Sequence, residues 1–119
     1  MVAIRKWQVD PNAISTVLVS HLHGDHFAGL PFFLLDAQLV SRRTAPLVLA
    51  GPPGFRQRLD IVMEAMFAGS TKVERRFALD ALGDSVEHFD AADRVLSRGR
   101  LAAEHDGVGL FVDGVRDVG

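Results

Sequence analysis

The chain has 119 residues, of which 48% are hydrophobic and 24% charged, a composition typical of one soluble globular domain rather than a disordered chain. Its formal net charge of −2 gives no reason to expect a broad surface for nucleic acid or an anionic membrane. The absence of cysteine excludes disulfides and leaves His, Asp, Glu and water as metal ligands. No stretch resembles a membrane span or the core of a signal peptide, so we expect a cytoplasmic location.

The first predicted strand follows a short N-terminal segment. Residues 1–8 predict the end of a helix, and Asp10-Pro11-Asn12 predicts a turn. Val17-Leu18-Val19-Ser20 is short, rich in β-branched residues and bounded by polar ones, which indicates a buried strand within residues 16–20. The stretch His21-Leu22-His23-Gly24-Asp25-His26 follows this strand directly.

This six-residue stretch, called the motif below, combines three imidazoles with a carboxylate. His21 and His23 lie two positions apart, so their side chains share one side of an extended segment. Gly24 permits a sharp turn, after which Asp25 and His26 would return toward the same point from a turn or the first turn of a helix. Imidazole nitrogens and carboxylate oxygens are ligands that zinc prefers. The motif therefore predicts a metal site rather than histidines scattered on a solvated loop.

A helix and a polar linker are predicted after the motif. Pro31 fits an early helical position, and the apolar residues at 32, 35 and 39 fall on one face, which we expect to pack in the core. Ser41-Arg42-Arg43-Thr44 predicts a linker whose two arginines form a solvated surface pair rather than a grip on a phosphate.

Further strands and helices alternate along the rest of the chain, which is the pattern of a mixed α/β layer. The predicted elements are a strand at 46–50, a rigid turn at Gly51-Pro52-Pro53-Gly54, an amphipathic helix at 55–67, a strand at 73–79, a helix at 84–98, a strand at 101–104, and a hairpin within 108–115 that turns at Asp113-Gly114. The Gly-Pro turn lacks the lysine and the spacing of a phosphate-binding P-loop. His88 falls within a predicted helix among charges, and we expect it to face solvent.

The segment His21-x-His23-x-Asp25-His26 resembles the metal-binding motif of the metallo-β-lactamase superfamily. The string from Ser20 to Pro31 and the Gly51-Pro52-Pro53-Gly54 turn are similar to its ribonuclease Z-like branch, over about residues 10–80. The resemblance implies an α/β fold that is part of an αββα sandwich, a mixed sheet with flanking helices. Residues 1–119 would form a single incomplete domain, because the strands that precede the motif in the family have no counterpart here.

By this resemblance, His21 and His23 would bind one zinc ion and Asp25 and His26 a second, so that one or two ions are expected. A metal-activated hydroxide, oriented by Asp25 as the catalytic residue, would attack a phosphodiester or another ester or amide bond. His105 matches the order of the family's third histidine and is a further candidate ligand. The family's later aspartate and final histidine have no counterpart in this chain.

Two functions of different class remain open. The first is a zinc-dependent hydrolase of the ribonuclease Z-like branch, acting on a small-molecule or phosphodiester substrate. The second is a truncated metal-binding fragment without turnover. Tight binding of nucleic acid by this chain alone and binding to a membrane are not expected. A homo-oligomer is possible because an unfinished sheet leaves strand edges open to pairing.

Overall fold

The computed structural model describes residues 1–83, together with the two backbone strands at 100–105 and 108–112. The helices are α1 (Val2–Lys6), α2 (Gly24–Phe27), α3 (Leu30–Leu39) and α4 (Phe55–Met66), and the strands are β1 (Ile14–Val19), β2 (Leu47–Ala50), β3 (Leu79–Leu82), β4 (Arg100–His105) and β5 (Val108–Val112). Short 3-10 turns occupy Pro11–Ala13 and Ser70–Lys72. The helix predicted at 84–98, with His88, and the turn predicted at Asp113-Gly114 lie outside the described residues.

The strands form one sheet in the order β3-β2-β1-β5-β4. β1, β2 and β3 are parallel and are connected through helices, whereas β5 pairs antiparallel with both β1 and β4. The carboxyl ends of β1, β2, β3 and β4 therefore lie at the same edge of the sheet. This arrangement confirms the predicted α/β class, with a mixed sheet and flanking helices.

The hydrophobic core joins β1 and β2 to the helices. Its buried members are Ile14, Val17, Val19, Phe27, Leu30, Phe33, Leu34, Ala37, Leu47, Leu49, Phe55, Leu59, Met63 and Phe77. β1 is the central strand of the sheet, and its Ile14, Val17 and Val19 are buried in this core. Packing in this core therefore holds β1, the strand that the motif follows, in place.

The buried face of α3 differs from the prediction. Phe32 is 49% exposed and Leu39 62% exposed, whereas Phe33 is only 4% exposed and packs in the core. The residues of α3 itself are apolar on nearly all sides of the helix, so their periodicity does not indicate which face is buried. Packing against the sheet decides the face instead, and the ring of Phe32 contacts Phe67 edge-on at a centroid distance of 5.5 Å.

Arg43 is buried, at 2% exposure, so the prediction of a solvated arginine pair is wrong for this residue. Its guanidinium donates to main-chain carbonyls near the starts of β1 and β2: Pro11 at 3.2 Å, Asn12 at 3.3 Å, Ala45 at 2.7 Å and Pro46 at 2.6 Å. Burial lowers the pKa of Arg43, while the Asp10 carboxylate raises it. The buried guanidinium thus finds its acceptors on two segments that are distant in sequence, which the local sequence does not show.

The third strand begins at Leu79 and not at Val73. Residues 73–77 carry three consecutive charged side chains, and Val73 is exposed while Phe77 packs into the core. The position of β3 is set by its pairing with β2, in which Leu47 lies beside Leu79 and Ala50 beside Leu82. This pairing is non-local, which is why the local pattern predicted the strand too early.

Candidate metal centre

The motif leaves the sheet at the end of its central strand. Val19, the last residue of β1, is buried and pairs with Val108 of β5. His21 and His23 occupy the connection to α2, which has His23 as its N-cap residue and begins at Gly24. Asp25 and His26 lie in the single turn of α2, as the sequence predicted.

The imidazole ring of His21 lies against those of both His23 and His26. The ring centroid of His21 is 5.0 Å from that of His23, with an interplanar angle of 89°, and 3.8 Å from that of His26, with an angle of 50°. Nε2 of His26 is 3.3 Å from Oδ2 of Asp25. The side chain of His26 is 16% exposed and that of Asp25 78%, so this pair extends from the protein body into solvent. The structure therefore brings together four of the predicted site residues.

Ser20 adds a contact that the sequence analysis did not predict. Its Oγ lies 2.8 Å from Nδ1 of His21. The sequence treated Ser20 only as the last residue of a strand and as part of the family resemblance. The only sequence feature that could have predicted this contact is a hydroxyl residue directly before a histidine. It is a weak indication, because neighbouring side chains of an extended segment usually point to opposite sides.

The donor chemistry of the motif fits zinc, but the side-chain arrangement does not close around an ion. Within the described parts of the chain, no group of three or more His, Asp or Glu side chains is positioned to hold a metal. The rings of His21 and His26 lie against each other, with their centroids 3.8 Å apart.

The backbone of His105 lies at the same edge of the sheet as the motif. Val19 pairs with Val108, and Val108 pairs with His105, so the three residues form one row across β1, β5 and β4. Neighbouring strands are separated by about 4.8 Å, which places the backbones of Val19 and His105 roughly 10 Å apart. β4 also ends at His105, at the edge where the carboxyl ends of the parallel strands gather.

The chain belongs to the metallo-beta-lactamase superfamily, whose sequence profile matches residues 1–117. This match confirms the resemblance seen in the motif. It also corrects the expectation that the resemblance fades after residue 80, because it extends through nearly the whole chain. No solved structure matches the chain significantly.

Curated relatives named ribonuclease Z confirm the branch to which the sequence is similar. The chain is 34% identical to ribonuclease Z of Halorubrum lacusprofundi over 105 residues, which cover 82% of this chain and 34% of the relative. It is 28% identical to that of Exiguobacterium sibiricum over 123 aligned positions, covering 93% of this chain and 39% of the relative. It is 38% identical to that of Bacillus thuringiensis over 55 residues, which cover 46% of this chain and 18% of the relative. The chain therefore spans between 34% and 39% of the length of the first two relatives.

None of the helices in the described residues has the length and hydropathy needed to cross a membrane.

Proposed function

We propose that this chain carries the zinc-binding motif of a metal-dependent hydrolase, in which His21, His23, Asp25 and His26 hold one or two zinc ions. The observation that carries the proposal is the proximity of three imidazole rings and a carboxylate where the central strand ends. Membership of the metallo-beta-lactamase superfamily supports it, because members of this superfamily are generally metal-dependent, typically on zinc.

The motif divides into two pairs of donors. His21 and His23 would hold one ion from the connection after β1, with His105 as a third ligand contributed by β4. Asp25 and His26 would hold a second ion from the turn of α2. The shared row of Val19, Val108 and His105 supports this division, because it places the backbone of His105 roughly 10 Å from the end of β1, at the edge of the sheet where the motif begins.

A bound zinc ion would supply Lewis acidity and lower the pKa of a water molecule at the site. Asp25 is mostly exposed, so its carboxylate is accessible to an incoming water molecule and can orient that molecule by accepting a hydrogen bond. Nε2 of His26 lies 3.3 Å from Oδ2 of Asp25, so the two donors assigned to the second ion are adjacent. The residues of the motif would thus both bind the metal and position the nucleophile.

The substrate that we propose is a phosphodiester of RNA. The names of the relatives, ribonuclease Z, support this class. The net charge of −2 supplies no broad attraction for a polyanion, so substrate contacts would be made near the metal rather than over a basic surface.

We also propose that residues 1–119 are part of a single sandwich domain in which a second layer covers the sheet. Leu18, Ala50 and Leu82 form a row on the face opposite to the one on which Val17 and Leu49 pack in the core. Leu18 and Leu82 are only half-buried, and they lie in the parallel part of the sheet, β1 to β3. Parallel sheets are normally covered on both faces. Changing Val48, whose side chain lies on the same face as Leu18, to Asp would lower the free energy of unfolding by more than about 2 kcal/mol if that face is covered. A neutral effect would contradict the sandwich.

Hydrolysis of a phosphodiester probe tests the activity. Protein freed of metal would be assayed on bis(p-nitrophenyl) phosphate and on a short RNA, before and after zinc is added, with His23→Ala and His88→Ala as matched histidine variants. We expect turnover that requires zinc, is lost in His23→Ala and is retained in His88→Ala. Zinc binding without turnover would contradict the hydrolase and favour a metal-binding chain without activity. Turnover that is independent of zinc or of His23 would contradict the proposed site.

The metal-binding fragment without turnover gains no support from the family match, which runs through residues 1–117.

A further inference from the structure

The hydroxyl of Ser20 contacts the central ring of the motif. Its Oγ lies 2.8 Å from Nδ1 of His21, whose ring in turn lies against the rings of both His23 and His26. Ser20 is the first residue after β1, so its main chain is held by the buried end of the central strand at Val19. The contact therefore connects the end of the central strand to the ring that lies against the other two.

A neutral imidazole carries one proton, so the contact between Ser20 and His21 has two forms. In the first, Nδ1–H of His21 donates to Oγ of Ser20, and Nε2 keeps its lone pair. In the second, the hydroxyl of Ser20 donates to Nδ1, and Nε2 carries the proton. The second form leaves neither nitrogen available to a cation, so only the first is compatible with His21 as a ligand while the contact persists.

We propose that Ser20 is a positioning residue of this site, which accepts a hydrogen bond from Nδ1–H of His21 and thereby leaves Nε2 free for the metal. The role assigned to Nε2 rests on the proposed function. The tautomer and the ring orientation, however, are properties of the protein without metal. Partners of this kind fix the tautomer and orientation of a ligating histidine, and their loss typically weakens metal binding by about 10- to 100-fold.

Nitrogen-15 NMR of the metal-free protein tests the inference directly. Long-range proton–nitrogen correlations of the imidazoles would be recorded in mildly alkaline buffer, where free imidazole is neutral, and the His21 signals assigned by their loss in His21→Gln. We expect the Nδ1–H tautomer for His21 in the unmodified chain. Ser20→Ala should shift it toward the Nε2–H form, and Ser20→Thr, which keeps the hydroxyl, should restore it.

Zinc affinity, measured by competition with a chelating dye, provides the second readout. We expect Ser20→Ala to bind zinc roughly 10- to 100-fold more weakly than the unmodified chain, and Ser20→Thr to bind nearly as tightly. Ser70→Ala is the matched control, because the Ser70 hydroxyl donates to the carbonyl of Met63 at 3.2 Å, in the turn that follows α4. It should leave both the tautomer and the affinity unchanged.

The outcomes separate this inference from the proposed function. An unchanged His21 tautomer in Ser20→Ala, or the Nε2–H form in the unmodified chain, would overturn the role of Ser20 even if zinc binds. A tautomer that follows the Ser20 hydroxyl in a chain that binds no zinc would support the positioning role and overturn the metal site.

Discussion

Gly51 lies so close to Phe55 that a Cβ built on the glycine would be 2.5 Å from Cγ of the phenylalanine. Phe55 is fully buried, and Gly83 approaches it from the end of β3, where an added Cβ would be 2.9 Å from Cβ of Phe55. β2 and β3 both end at the edge of the sheet that carries the motif. The two glycines therefore allow α4 to begin close to that edge.

Gly51→Ala should lower the free energy of unfolding by roughly 1–3 kcal/mol, because the added methyl group would overlap the buried ring of Phe55. Gly29→Ala is the matched control, since nothing lies within 4 Å of a Cβ at that position. Denaturant unfolding of both variants provides the measurement. Equal stabilities would show that Phe55 does not pack against Gly51 as described.

Arg43→Met should be strongly destabilising, by about 3 kcal/mol or more, because it removes the four hydrogen bonds by which the buried guanidinium joins the segments before β1 and β2. Arg43→Lys should not restore stability, since a single ammonium cannot reproduce the planar array of donors. Arg42→Met is the control, because Arg42 is exposed. If chemical denaturation finds Arg43→Met as stable as Arg42→Met, the guanidinium does not tie these segments together.

The orientation of α3 predicts opposite results for two adjacent phenylalanines. Phe33→Ala should cost about 3–5 kcal/mol of stability, because it opens a cavity in the core. Phe32→Ala should cost much less, since half of its side chain is exposed and its ring contact is with Phe67 at the surface. The comparison uses the midpoint and slope of denaturant unfolding. A larger loss for Phe32→Ala would restore the face that the sequence predicted.

Glu64 should make stability depend on pH under acid conditions. A hydrogen bond from the Thr71 hydroxyl, together with main-chain N–H donors of Gly69 and Thr71, lowers the pKa of Glu64. Because the pKa is lower in the folded state, this contribution is present above the ordinary glutamate pKa of about 4.3 and is lost as the pH falls through the folded value. The stability advantage over Glu64→Gln should shrink as the pH falls through this range in parallel unfolding titrations. A constant difference across it would contradict the contact.

The sequence predicted those elements that are marked by a pattern within their own residues. β1 and β2 are short apolar runs bounded by polar residues or by Gly and Pro, and α4 has a clear amphipathic period, so all three were predicted near their observed positions. The face of α3 was not predictable because the helix is apolar on nearly all sides. The start of β3 depends on pairing with β2, which lies more than 25 residues away in the chain.

The candidate site likewise has a part that the sequence predicted and a part that only the structure shows. His21, His23, Asp25 and His26 are adjacent in sequence, so their spacing was enough to predict that they cluster. The position of the His105 backbone depends on the strand order β1-β5-β4, which no local pattern contains. The contact between Ser20 and His21 depends on side-chain torsions and was found only in the structure.

Zinc content per chain tests most directly whether the motif binds metal. The purified protein would be saturated with zinc, freed of excess and examined by elemental analysis, beside His23→Ala and His105→Ala, with His88→Ala as the matched control. We predict one or two zinc ions per chain, a loss of zinc in His23→Ala, a smaller loss in His105→Ala and no loss in His88→Ala. A folded chain that retains no zinc, or that retains the same amount in His23→Ala, would contradict the metal site at the end of β1.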